Sequence, residues 1–233
     1  MAQGGTIAQR ITDLIGSQYS TDSAYAGDLI NAAINEIADM VSEDLLIKYS
    51  KTPGVLESNS EWLVEGRKIL KVTRIDADSS GIERECKAVD RDLFASSGDS
   101  GSINYATVYS PIYHLDSANA GAATLKILPE PTTPQKGKIW YFSYVTSSSP
   151  DGDITDVTEA TLNTALYLPN NLIHAIALKS SANILQAYIS NQIQDEEDNE
   201  MLAMVVQQMQ GLEASFQKEI SRFMDDSGKP GGE

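Results

Sequence analysis

Chemistry at neutral pH needs a titratable or nucleophilic side chain with a partner at the right spacing. His114 and Asp116 stand two apart in Tyr113-His114-Leu115-Asp116, which puts both on one side of a strand, the arrangement of a general base beside a carboxylate. No nucleophile motif accompanies them, so a strand histidine satisfied by its surroundings is the expected role. His174, the only other histidine, has no Glu or His at ligand spacing on its helix, which leaves no zinc site. Cys86 is the single cysteine; no intrachain disulfide can form, and within Arg84-Glu85-Cys86-Lys87 it reads as a small buried hydrophobe. Asp151-Gly152-Asp153 lacks the later ligands and closing glutamate of a calcium loop, and Asp195-Glu196-Glu197-Asp198 reads as a solvated helix corner. There is no phosphate loop, dinucleotide glycine signature or nucleophile elbow. The aromatic stretch Trp140–Tyr144 reads as sheet core rather than as a binding platform. The expectation is therefore no catalytic, metal or cofactor-binding residue, and no enzyme.

The elements that would carry these residues fall into two helical arms around a β-rich middle. Thr6 and Gln9 form a capping box, Ile7, Ile11, Leu14 and Ile15 share one face, and Gly16 suits the stop. The Ser20-Thr21-Asp22-Ser23 cluster offers the next N-cap, and a long helix follows with Ala26, Ile30, Ala33, Ile37, Met40, Val41 and Leu45 as its apolar side, ending before Pro53-Gly54. Leu168-Pro169 opens the other arm. Ala175, Ala177, Ser180, Ser181 and Ala182 are small enough to let other helices close in, so this helix is expected at the centre of a bundle. After the acidic run come Leu202, Val205, Met209, Leu212, Phe216 and Ile220, spaced close to a heptad seam and expected to pack between subunits or onto the bundle. The end of the chain, Asp225 to Glu233, reads as a flexible tail.

In the middle, Lys68–Ile75 and Glu83–Val89 are rich in β-formers and flank the turn Asp78-Ser79-Ser80-Gly81. A helical turn at Asp90–Phe94 and a Ser/Gly loop, Ser96–Ser102, lead to strands at Ala106–Tyr109, Ile112–Leu115 and Thr124–Leu128. Lys138–Val145 is the strongest strand, and large side chains on both of its faces predict an inner position or one covered by a partner. The fold class expected is α+β: a helical bundle from the two arms with an inserted small antiparallel β domain. The expected divisions are 1–55 and 151–224 for the arms, 56–150 for the lobe and 225–233 for the tail.

The 233 residues suffice for a real core, and a hydrophobic content of 41% is ordinary. A net charge of −16 is not, and it opposes tight nucleic-acid binding. The start, Met1-Ala2-Gln3-Gly4-Gly5, has no basic or apolar run, and no apolar stretch is long enough to span a membrane, so folding in a cytoplasm without membrane contact is expected.

This layout resembles the head–tail adaptor (connector) proteins of tailed bacteriophages, in their larger form with an inserted β lobe. The likeness is carried by Leu168 through Leu185, with its Pro-initiated, Ala/Ser-rich helix, and by the acidic turn Asp195 to Asp198. Arg84-Glu85-Cys86-Lys87-Ala88-Val89, Ser102-Ile103-Asn104-Tyr105-Ala106 and Ser110-Pro111-Ile112-Tyr113 are similar to the lobe. The resemblance implies a virion protein at the head–tail junction, made in the host cytoplasm, in a ring of about twelve copies under the portal. Such a ring extends the channel through which double-stranded DNA passes without specific binding, and docks the next tail or neck protein. The tail, with Asp225, Asp226, Ser227, Lys229 and Pro230, would embrace the portal. Two other readings stand beside it: another neck, tail-completion or baseplate component, and a small hydrolase or carbohydrate-binding module that would need His114 or the Trp140–Tyr144 aromatics in an open cleft.

Overall fold

The computed structural model describes residues 5–19, 23–50, 53–58, 62–64, 66–76, 81–119, 122–146, 157–192 and 199–227. Among them are seven helices and two four-stranded sheets, an α+β fold. The chain divides into two compact units, one made of Met1–Leu45 with Val145–Glu233 and the other of Leu46–Tyr144.

The first unit is helical. Helix α1 (Ile7–Ile15) starts where the Thr6 side chain accepts the Gln9 N–H at 3.2 Å. It buries Ile7, Ile11 and Ile15 along one stripe and stops at Gly16, whose φ of 86° a side chain would resist. Helix α2 (Ser23–Met40) buries Ile30, Ala33, Ile34, Ile37 and Ala38. Helices α5 (Leu162–Ala165), α6 (Ile173–Gln192) and α7 (Asn199–Ser227) come from the other end of the chain. Helix α6 packs against α1, α2 and α7, and Ala175, Ala177, Ser180, Ser181 and Ala182 are all buried in those contacts. The small residues are what let three neighbours reach one helix.

Polar ties between the chain ends are specific. The Ile7 N–H donates to the Val157 carbonyl at 2.9 Å, and Arg10 pairs with Glu159 at 3.1 Å. The Asn35 amide donates to the Val145 carbonyl at 2.9 Å and accepts the Val145 N–H at 2.8 Å, closing a two-bond ring with the backbone where the chain re-enters this unit. Asn35→Ala leaves both backbone groups without that partner and should cost about 1–2 kcal/mol in urea unfolding. An unchanged midpoint would show that water replaces the amide at no cost.

The second unit holds α4 (Arg91–Ser97) and eight strands: β1 (Gly54–Leu56), β2 (Trp62–Leu63), β3 (Arg67–Ile75), β4 (Glu83–Glu85), β5 (Lys87–Ala88), β6 (Ile112–Asn119), β7 (Ala122–Leu128) and β8 (Gly137–Ser143). Helix α3 (Glu43–Tyr49) runs across the division between the units. The sheets are ordered β1-β8-β3-β4 and β2-β7-β6-β5. One apolar cluster joins them: Leu56, Val72 and Ile139 from the first sheet, Leu125 and Ile127 from the second, and Cys86. At Gly137 the sheets leave no room for a side chain, since a Cβ there would lie 2.6 Å from the Ile127 Cδ1. As its two-sided pattern predicts, β8 is an inner strand between β1 and β3.

Several expectations are corrected. Glu83–Val89 is not one strand: the chain leaves the first sheet after β4, buries Cys86 between the sheets, and enters the second as β5. The β region is not wholly antiparallel, because β5 runs parallel to β6. Parallel neighbours need a crossover, which α4 and the loop after it supply. Ala106–Tyr109 is loop, held by a single bridge from Thr107 to Ser110. The long helix expected to run from the Ser20–Ser23 cap cluster and end before Pro53-Gly54 breaks at Val41-Ser42 into α2 and α3. Strands β1 and β2 and helix α5 are too short for periodicity to reveal.

Candidate functional site

The residues with chemical potential are engaged in structure. His114 lies on β6 with Nδ1 donating to the Val89 carbonyl at 3.1 Å and its ring against Phe94, 5.5 Å between centroids. Asp116 shares that strand, but its carboxylate accepts the Lys126 ammonium at 2.7 Å. The two do not form a base–orienter pair. His174 is exposed on α6. Burial pushes the Cys86 thiol up to about 12, even with the Arg74 guanidinium nearby, so at neutral pH it stays protonated and unreactive. Native protein at pH 8 should resist iodoacetamide and become alkylated only on denaturation; fast native labelling would contradict the buried thiol. Among the described residues no three His, Cys, Asp or Glu side chains stand close enough to share a metal ion. Nor, among them, is any helix long and apolar enough to cross a membrane. Asp151–Asp153 and Asp195–Asp198 lie outside the described residues.

The aromatic run on β8 is spent on packing. Phe142 is buried, with Tyr144 edge-on at 6.0 Å. Tyr141 meets Trp62 edge-on at 5.1 Å, and the Arg67 guanidinium stands 5.1 Å from the Trp62 ring and 5.3 Å from the Tyr141 ring. Among the described residues the exposed aromatics are elsewhere, on the loop from Gly98 to Pro111. Ile103 at its tip is 100% exposed, Tyr109 71% and Tyr105 45%. The Arg84 guanidinium lies over Tyr109 at 5.6 Å.

Short local bonds fix this loop. The Asp99 carboxylate accepts the Gly101 N–H at 2.9 Å, the Asp99 carbonyl accepts the Ser102 N–H at 3.0 Å, and the Ser102 hydroxyl accepts the Asn104 N–H at 3.1 Å. The Ala106 N–H returns to the Ser97 carbonyl at 3.0 Å. Asp99 is the only charged residue from Gly98 to Pro111. A rigid, nearly uncharged loop bearing an isoleucine and two tyrosines in water has the composition of an interface core, with its ordering entropy already spent. Sequence reading placed this stretch in the likeness to the lobe but did not single out Ile103; alternation carries no signal in a loop.

Of the two partners expected for the seam, the bundle of the same chain takes most of it. Val205, Leu212, Phe216 and Ile220 are buried, α7 lies along α6, and only Leu202 and Met209 remain half-buried. The cause is the small-residue face of α6, which draws α7 in. Lys179 on α6 also ties them, with its ammonium 3.0 Å from Glu36 of α2, 3.3 Å from Glu213 of α7 and 5.4 Å from the Phe216 ring centroid. Helix α7 runs further than expected: Asp225, Asp226 and Ser227 continue it, while residues 228–233, Lys229 and Pro230 among them, lie outside the described residues.

The charge divides as the fold does. Leu46–Tyr144 holds twelve Lys and Arg against twelve Asp and Glu and is neutral. The helical unit holds five against twenty-one and so carries the whole −16. Compared with protein-family models, with curated proteins and with solved structures, the chain matches none.

Proposed function

We propose that the chain is a structural, non-enzymatic component of a tailed-phage virion: a head–tail adaptor that forms a ring, of about twelve copies, under the portal. The observation that carries this reading is the joining of the two chain ends in one helical unit, with a contiguous β unit between them. The helical unit is the bundle that makes the ring wall, and the β unit is the inserted domain that docks the neighbouring tail or neck protein. His114, Asp116 and Cys86 are held in structural roles, which supports a scaffold rather than a catalyst.

Charge segregation sharpens the reading. Acidity confined to the helical unit gives a channel wall that repels double-stranded DNA within a Debye length of about 8 Å, so the polymer passes without being gripped. The neutral β unit, with Ile103, Tyr105 and Tyr109 presented on a fixed loop, suits contact with protein. Mixing the purified chain with a portal ring and imaging the product should show an added ring of matching symmetry. Removal of residues 228–233, which spares α7, should weaken that binding. A portal that gains no density, with a chain verified as folded, overturns the reading.

A further inference from the structure

We propose that the outward face of α7, opposite its buried stripe, is where a second copy of this chain docks, through the acidic surface of that copy's helical unit. This rests on the ring-forming reading above and names the contact within it. From Met201 to Arg222 the exposed positions of α7 are Met201, Ala203, Met204, three glutamines at 207, 208 and 210, Gly211, Ala214, Ser215, Gln217, Lys218, Ser221 and Arg222. Between the exposed Glu200 at the helix start and Arg222 none of these positions is a carboxylate, the half-buried Glu213 and Glu219 lying at the edges of the face, and two of the unit's five cations, Lys218 and Arg222, stand on it. Elsewhere in the unit Asp13, Asp28, Glu43 and Asp44 are exposed. One copy therefore carries both halves of a charge-complementary contact on different surfaces. Such a contact is heterologous and can close into a ring.

Gly211 supplies the independent observation. It lies mid-way along a helix of 29 residues, is exposed, and has nothing within 4 Å of where a Cβ would stand. A glycine there weakens the helix by about 1 kcal/mol relative to alanine. Among the described residues no neighbour requires the missing side chain. Close approach by a second backbone or side chain does, and Ala214 and Ser215 extend the same low surface by another turn. The exposed Met204 flanks it with an adaptable apolar side chain.

Two variants of the full chain test this by sedimentation velocity across a concentration series, in about 0.15 M salt, where distant repulsion between copies is screened but contacts persist. Gly211→Leu should raise or leave unchanged the melting temperature, because it improves the helix and fills open space, while weakening self-association at least tenfold. The opposite signs separate an interface from a folding defect. Lys218→Glu with Arg222→Glu should weaken association comparably, which an α7-to-α7 pairing would not require. Wild-type protein that stays monomeric throughout, or association that survives both variants, overturns the proposal. Either result leaves the adaptor reading to the portal experiment, which does not depend on this face. A Gly211→Leu chain that melts lower also overturns it, since the glycine would then serve the monomer.

Discussion

Arg74→Met should lower the stability of the β unit by about 3 kcal/mol or more, read as a fall in its urea midpoint. Arg74 is among the largest fully buried side chains, 2% exposed on β3. Burial pulls its pKa down from the usual arginine value, yet the guanidinium remains charged at any physiological pH. Its donors meet four neutral oxygens: the Pro129 carbonyl at 2.8 Å, the Ile75 carbonyl at 3.1 Å, the Glu130 carbonyl at 3.2 Å and the Gln135 Oε1 at 2.9 Å. Three of these lie in the proline-rich connection between β7 and β8, so one side chain anchors a loop that has little regular hydrogen bonding of its own. Methionine fills the space but strands those oxygens. Arg74→Lys keeps the charge yet cannot span the planar fork, and should recover only part of the loss. A loss below about 1 kcal/mol would mean that water takes over the role.

The second large effect is at Lys179, and it depends on pH. Burial pushes this ammonium toward deprotonation, but the Glu36 and Glu213 carboxylates outweigh that and raise its pKa above the ordinary 10.5. The folded state binds the proton more tightly than the unfolded state does. The resulting stabilisation is complete below the unfolded value of 10.5 and is lost as pH rises through the higher folded value. Lys179→Met should cost about 2 kcal/mol at pH 7, an amount already reduced because the two carboxylates are well exposed. It should also abolish the part of the alkaline loss that belongs to Lys179. Wild type and variant should therefore converge in stability above the folded value. Parallel curves up to the most alkaline pH at which both stay folded would rule the ion triad out as the source.

The contrast between these residues shows what could be read in advance. The buried stripe of α1, the small-residue face of α6 and the inner position of β8 are periodic, and period is visible in a linear sequence. Arg74 and Lys179 look like solvent-facing cations in the chain; only the fold reveals the oxygens brought to them from more than fifty residues away in the first case and from both flanking helices in the second. The α7 seam was legible as a seam, but not whose surface it meets, because an apolar stripe specifies burial and not the partner. The switch of the chain between sheets at Cys86 left no mark either, since alternation continues through it. The exposure of Ile103 has no periodic signal for the opposite reason: a loop held by its own turns needs no pattern.

The joining of the two chain ends sets the order in which the molecule can be made. Residues Leu46–Tyr144 are contiguous, so they can collapse as soon as they leave the ribosome. Helices α1 and α2 have no such chance: α2 ends at Met40 and α6 starts at Ile173, so their apolar stripes wait through the synthesis of about 130 residues or more, at roughly 5–20 per second, before α6 arrives to cover them. Helix α7 emerges after α6, and with it the glycine-bearing face. A nascent chain short of α7 has no such face, so on the docking proposed above the association of copies waits for its translation.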